Sequence, residues 1–218
     1  MREKILFNDN WMFHLGDIEQ KMPAKKGAIY IQAKTERYRF GPASRTYTDC
    51  ESQDDIGLEH ELNPETWSRV NLPHDYIIGQ TPKSENNNTL GFFEYKNAWY
   101  RKHFRVSEED KTKRLSLLFE GVATNATIYL NGCLMKHNFC GYNSFEVDIT
   151  DYVDFDRDNV LAVYIDSSSY ESWAYQGAGI YRHVWLVKTE LVSVDLWGVY
   201  VKAEKDGEDW NVEVENTV

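Results

Sequence analysis

Residues 114–132 read RLSLLFEGVATNATIYLNG, and their pattern is the clearest indication of the fold class. Within Arg114–Val122, leucines and a phenylalanine alternate with polar residues, which predicts a half-buried strand with one face against a core. The same period of two returns in Ala126–Asn131. The dipeptide Asn131-Gly132 then gives a strong signal for a tight hairpin turn. Two alternating strands and a hairpin turn in so short a stretch favour an antiparallel β-sheet.

Short stretches of the same character recur along the chain between turn residues. Asn159–Asp166, NVLAVYID, is apolar on both faces and rich in β-branched residues, so we predict a central strand covered on two sides. Further strands are predicted at Trp99–Val106, Ser144–Ile149 and His183–Lys188. Sustained helical periodicity is nearly absent. The pattern therefore predicts an all-β protein, a jelly-roll β-sandwich of about eight strands.

Two regions differ from this sandwich pattern. Residues 17–64 are polar, with Lys-, Gly- and Asp-rich patches, and we predict an insertion there. Val192–Ala203 and Trp210–Val218 alternate as two strands around a turn at Asp206-Gly207. An isolated hairpin of two strands has only marginal stability in water. We therefore predict a sandwich domain over 1–190 and the first strands of a second, truncated β domain over 191–218.

Charge and cysteine usage narrow the function classes. The net charge of −11 repels phosphate backbones, so nucleic acid is an unexpected partner, whereas a neutral sugar is compatible with it. The cysteines Cys50, Cys133 and Cys140 lack zinc-ligand spacing, so we expect reduced thiols and no structural metal. No segment has the roughly 18 apolar residues of a membrane helix, and no signal peptide is visible. We expect a cytoplasmic protein without membrane contact.

Three groups of motifs, in this order, resemble the N-terminal domain of glycoside hydrolase family 2 of the β-galactosidase type. The matching stretches are NLPHDY at 71–76, AWYRKHFRV at 98–106 followed by LFEGVATNATIYLNG at 118–132, and ESWAYQGAGIYRHVWL at 171–186. The resemblance covers residues 1–190. It implies a galactose-binding-domain-like jelly roll, followed by an immunoglobulin-like domain that begins within 191–218.

A candidate sugar site follows from the residues in these motifs. Pro73 has a fixed φ and biases Leu72 toward an extended conformation, so His74 and Asp75 are predicted at a rigid strand end. The carboxylates of Asp75 and Glu171 can accept hydrogen bonds from sugar hydroxyls. Flat aromatic rings can pack against the C–H side of a pyranose. The predicted substrate-binding set is Asp75, Glu171, His74, Trp173 and Tyr175.

The resemblance implies a specific role for Glu171, and for each of Glu171, His74 and Asp75 a role without a ligand remains an alternative. In the family, the carboxylate before the G-x-G-I-Y-R run reaches the pocket of a neighbouring barrel, which points to Glu171. His74 is otherwise a structural histidine that hydrogen-bonds loop backbone. Asp75 and Glu171 are otherwise ordinary solvated surface carboxylates.

The resemblance further implies hydrolysis of terminal β-galactosides with retention, by two glutamates on a downstream TIM barrel. We therefore predict no catalytic residue and no cofactor in this stretch, although some relatives use sodium or magnesium, and no activity of this chain alone. The expected partners are a β-galactoside and the downstream domains of the same chain. The sequence leaves open whether the protein forms a homo-oligomer. The alternative functions are a free-standing carbohydrate-binding module and a purely structural interdomain sandwich.

Overall fold

A computed structural model of the chain describes residues 2–18, 41–45, 47, 67–168 and 176–218. In these ranges the regular elements are β-strands and two short 3-10 turns, at Asn88–Leu90 and Glu108–Thr112. The strands are β1 (Glu3–Leu6), β2 (Trp11–Leu15), β3 (Ser68–Val70), β4 (Ala98–Phe104), β5 (Arg114–Phe119), β6 (Ala126–Leu130), β7 (Cys133–Asn138), β8 (Phe145–Asp148), β9 (Asn159–Ile165), β10 (Val184–Thr189), β11 (Val199–Asp206) and β12 (Asp209–Asn216). The predicted all-β class is confirmed. Among the described residues, no helix has the length and apolar character that crossing a membrane requires.

The strands form two main antiparallel sheets and one separate hairpin. One sheet has four strands in the order β1-β10-β5-β8, and the other has six in the order β3-β2-β4-β9-β6-β7. One hydrophobic cluster joins them, with Leu117 and Phe119 from the first sheet and Ile128, Leu161 and Val163 from the second. The predicted β-sandwich is therefore confirmed, since alternate residues of both sheets meet in a shared core.

Strand β9 lies at the centre of the larger sheet, between β4 and β6. Its burial pattern leaves only Tyr164 partly exposed, as expected for a strand that is apolar on both faces. Leu161 belongs to the main core, whereas Ala162, on the opposite face, packs in a second cluster with Trp67 and Trp99. The prediction of a strand covered on two sides is confirmed.

The Asn131-Gly132 turn joins β6 to β7 as predicted, because Leu130 pairs with Cys133 across a two-residue loop. Both turn residues have positive φ, 52° for Asn131 and 83° for Gly132, as the hairpin turn favoured by Asn-Gly requires. The Asn131 side chain also accepts a hydrogen bond from the backbone N–H of Val160, at 2.9 Å. The turn residue therefore fastens its hairpin to the central strand β9.

The C-terminal hairpin is present, but its first strand begins later than predicted. β11 starts at Val199 rather than Val192, since Asp195 and Gly198 form a turn closed by a 3.1 Å backbone hydrogen bond. A side chain at Gly198 would lie only 2.7 Å from the Thr217 carbonyl oxygen. The prediction of a strand before Gly198 is therefore wrong, although residues 192–197 alternate with a period of two.

The described part of the predicted insertion packs on the larger sheet, where Ala43 clusters with Trp99 and Ala162, and one of its contacts is made by a buried arginine. Arg101 of β4 is fully buried, and its guanidinium donates hydrogen bonds to the carbonyl oxygens of Pro42, Ser44 and Tyr47. Its charged group also lies 5.3 Å from the ring centroid of Tyr47. Residues 41–45 and Tyr47 are thus held on the sheet by the fork of donors that an arginine provides.

Candidate functional site

Two of the sequence motifs meet along their backbones at one end of the sandwich. The N–H of His74 donates to the carbonyl oxygen of Ile180 at 2.8 Å, and the N–H of Tyr76 donates to that of Ala178 at 3.0 Å. The Leu72-Pro73 peptide bond that precedes this contact is cis. The LPHDY segment and the GAGIYR segment therefore form one paired unit, although about a hundred residues separate them in sequence.

The third motif joins the same unit at Gly179. Ala123 and Gly179 exchange two backbone hydrogen bonds, at 2.9 and 2.8 Å, and form an isolated antiparallel bridge. Gly179 has a φ of +139°, and a Cβ atom there would lie 2.2 Å from the backbone oxygen of His74 and 2.8 Å from the hydroxyl of Tyr100. Only glycine permits this approach of three segments.

The carboxylate of Asp75 is oriented by the backbone around it. Its Oδ1 accepts hydrogen bonds from the N–H of Ile77, at 2.9 Å, and from the N–H of Ala178, at 3.2 Å. Its Oδ2 would lie only 2.2 Å from a Cβ at Gly177, so the carboxylate sits directly over that glycine. Within the described ranges, Oδ2 has no hydrogen-bond partner. One oxygen is thus anchored while the other can accept from a ligand.

Asp75 lines a pocket of about 110 Å³ at this junction. The other lining residues include Thr124, Gly141, Tyr142, Gly177 and Tyr181. The pocket combines an oriented carboxylate with two tyrosine rings and a hydroxyl group. Of the lining residues named here, the sequence predicted Asp75 as a binding residue, and it gave no indication of Thr124, Tyr142 or Tyr181, because nothing in their spacing shows that three distant loops converge.

His74 lies beside the pocket with its ring directed into the sandwich. Its Nδ1 is 2.7 Å from the hydroxyl of Tyr100, and its ring centroid is 4.8 Å from that of Phe13. Burial lowers the pKa of His74, although the charge of Asp75 acts in the opposite direction. Burial also raises the pKa of Tyr100 well above its ordinary value. This geometry favours the structural role for His74, while contact with a ligand stays a prediction.

The other three predicted site residues, Glu171, Trp173 and Tyr175, lie outside the described residues, and their roles stay predictions. Gln176, which follows them in sequence, is part of the pocket lining, and its N–H donates to the hydroxyl of Tyr95 at 3.2 Å. In the described ranges, no three His, Cys, Asp or Glu side chains group as metal ligands do.

Comparison with known proteins gives a consistent result. Residues 59–214, well over half of the chain, match the family described as "Glycosyl hydrolase 2 galactose-binding domain-like". The chain is 33% identical over 204 residues to "Beta-galactosidase BoGH2A" of Bacteroides ovatus, covering 92% of this chain and 20% of that protein. It is 29% identical over 185 residues to a "Beta-glucuronidase" of Formosa agariphila, covering 70% of this chain and 18% of that protein.

A solved structure agrees with these sequence matches. The crystal structure of a beta-glycosidase from Bacteroides vulgatus superposes with a TM-score of 0.72 at 29% identity, covering 99% of this chain and 24% of that one. The chain spans about one-fifth of the length of the curated relatives that it matches.

Proposed function

This chain belongs to glycoside hydrolase family 2 as its galactose-binding-like N-terminal domain, and on this premise we propose that it forms the sugar-pocket rim of an enzyme that hydrolyses β-galactosides. Relatives named as beta-galactosidases support this substrate, and relatives named as beta-glucuronidases define its main competitor. In the proposed enzyme, this part binds and orients the sugar and holds no cofactor.

The arrangement of Asp75 carries the proposal. An ionised carboxylate accepts hydrogen bonds and donates none, and sugar hydroxyls are donors. Because two backbone N–H groups bind Oδ1, the carboxylate keeps its orientation without a ligand, and Asp75 lines the pocket with Oδ2 left to accept from a sugar. Such preorganisation lowers the cost of ordering on binding. We propose that Glu171, five residues before Gln176 in sequence, adds a second acceptor to the same rim.

The chemistry itself is proposed to come from a different part of the enzyme. A retaining glycosidase needs two carboxyl groups about 5–5.5 Å apart, one as nucleophile and one as acid and base. Among the described residues that line the pocket, Asp75 is the single carboxylate. We therefore propose that two glutamates on a downstream TIM barrel perform the hydrolysis, and that this chain alone is inactive.

Hydrolysis of nitrophenyl glycosides tests this division of labour. We expect the longer protein that contains this chain to release nitrophenol from nitrophenyl β-galactoside, faster than from the β-glucuronide, and the 218-residue chain to release none. Hydrolysis by the chain alone would refute the division. Calorimetric titration of the isolated chain with galactose addresses the alternative of a free-standing binding module, which requires measurable binding without the barrel.

Asp75→Asn in the longer protein then tests the site. The amide keeps one oxygen for the N–H groups of Ile77 and Ala178 but loses the charged acceptor, so the fold is retained while sugar binding weakens. A hydrogen bond to a charged group contributes about 1.5–3 kcal/mol, so we expect kcat/KM to fall by about 10- to 100-fold. The exposed Asp151, changed to Asn, is the matched control. Equal kcat/KM for both variants would favour a purely structural sandwich.

The separate hairpin supports the remaining part of the proposal. Val201 pairs with Val214 and Ala203 with Val212 on one face of β11 and β12, and all four residues are exposed. A two-stranded ribbon with a bare apolar face is marginal in water. We propose that residues 191–218 begin an immunoglobulin-like domain whose further strands cover this face, with 1–190 as the sandwich domain. Stronger hydrogen-exchange protection of the hairpin in the longer protein than in this chain is the expected result, and equal protection would count against it.

A further inference from the structure

Tyr142 is an exposed aromatic residue on the rim of the pocket that contains Asp75. Its side chain is 63% exposed, yet it forms part of the pocket lining. Within the described part of the chain, the Tyr142 side chain has no hydrogen bond and no ring contact. A large ring that the domain does not use for its own packing, placed beside an open carboxylate, points to a ligand rather than to folding.

The loop that carries Tyr142 is held in place just before that residue, at Phe139 and Gly141. The hydroxyl of Tyr181 donates to the carbonyl oxygen of Gly141 at 2.7 Å, and the hydroxyl of Thr124 donates to that of Phe139 at 3.2 Å. A Cβ at Gly141 would lie 3.2 Å from the Cα of Ala123, so the loop packs closely against that segment. These contacts fix the position of the Tyr142 backbone beside the pocket before a ligand binds.

The size of the pocket limits what part of a ligand can enter it. Its volume of about 110 Å³ is enough for several water molecules, since one water needs roughly 10–15 Å³ of such space. The hydroxyl-bearing edge of a pyranose can therefore enter the pocket. The surface that such a ring meets outside the pocket is the rim, where Tyr142 lies.

We propose that Tyr142 binds a sugar by stacking against the C–H face of a pyranose whose hydroxyl groups hydrogen-bond to Asp75 Oδ2. This inference rests on the proposed function, since it assigns a further substrate-binding residue to the same rim. A sugar combines hydroxyl edges with apolar faces, and the pocket lining contains an acceptor, Asp75, and an exposed aromatic ring, Tyr142. A buried protein interface fits less well, because the cores of interfaces are depleted in charged residues.

Product inhibition of the longer protein tests the role of Tyr142, with D-galactose as the probe because it contains the sugar ring and no aromatic leaving group. We expect Tyr142→Ala to raise the inhibition constant of galactose about fivefold to tenfold, and Tyr142→Phe to change it less than about twofold, since the ring remains. Phe139→Ala is the matched control. Phe139 lies on the same loop and is 74% exposed, but it does not line the pocket, so its removal should leave the constant unchanged.

The outcomes separate this inference from the proposed function. If the wild-type protein cleaves nitrophenyl β-galactoside but Tyr142→Ala keeps the wild-type inhibition constant, the stacking role is overturned and the proposed function stands. If Tyr142→Ala and Phe139→Ala change the constant equally, the loop packs against a neighbouring domain and the inference is also overturned. A wild-type protein that cleaves no glycoside overturns the proposed function, and the role of Tyr142 with it.

Discussion

Gly179→Ala is expected to lower the free energy of unfolding of this chain by about 2–6 kcal/mol. Overpacking costs about 1–3 kcal/mol, and a backbone conformation open mainly to glycine adds about 1–3 kcal/mol for any other residue. Gly179 combines both, because its φ is +139° and an added Cβ would meet the backbone oxygen of His74 at 2.2 Å. A backbone atom cannot move aside as the end of a flexible side chain can.

Two other glycines separate these contributions. Gly16 has a φ of +106°, and a Cβ added there would have no heavy atom within 4 Å, so Gly16→Ala reports the backbone cost alone. Gly79 also has open space and no such positive φ, and Gly79→Ala should leave stability nearly unchanged. Urea unfolding followed by tryptophan fluorescence measures all three. A Gly179→Ala midpoint equal to that of Gly79→Ala would show that the three segments do not converge as described.

Arg101→Leu is expected to destabilise the chain by about 3–5 kcal/mol, because it removes several buried hydrogen bonds from a charged group, each of which contributes about 1.5–3 kcal/mol. The leucine fills part of the space but donates no hydrogen bond. The carbonyl oxygens of Pro42, Ser44 and Tyr47 would then lose the guanidinium that binds them all, and each buried acceptor left without a partner costs free energy. Arg101→Lys should be intermediate, since an ammonium group keeps the charge but not the planar fork.

The control for Arg101 is an arginine whose ion pair faces solvent. Arg105 pairs with Asp158 at the surface, where its side chain is 75% exposed. Exposed ion pairs contribute little, so Arg105→Leu should leave the urea midpoint unchanged. Limited proteolysis adds a local measurement, because Arg101→Leu should make residues 41–47 more susceptible to cleavage. An Arg101→Leu midpoint that matches Arg105→Leu would contradict the anchoring role.

Part of the candidate site could be predicted from the sequence, and part could not. Pro73 and the carboxylate type of Asp75 are local features, so the motif indicated an acceptor on a stiff segment. The orientation of that acceptor depends on the N–H of Ala178, which no local pattern relates to Asp75. Tyr142 was missed for the same reason, since it follows a hairpin and reaches the pocket only through the packing of its loop.

The all-β class, the central strand β9 and the hairpin at Asn131-Gly132 could all be predicted from the amino-acid sequence, because alternation and turn chemistry act over a few neighbouring residues. Family membership also follows from motif order. The reason for the glycines in those motifs is visible in the folded structure alone. At Gly177 a carboxylate occupies the space of a side chain, and at Gly179 a backbone oxygen does. Arg101, which alternation places in a strand, binds the carbonyl groups of a segment far from it in sequence. Contacts between segments that are distant in sequence explain why glycine or arginine stands at these positions, and a pattern of neighbouring residues cannot predict such contacts.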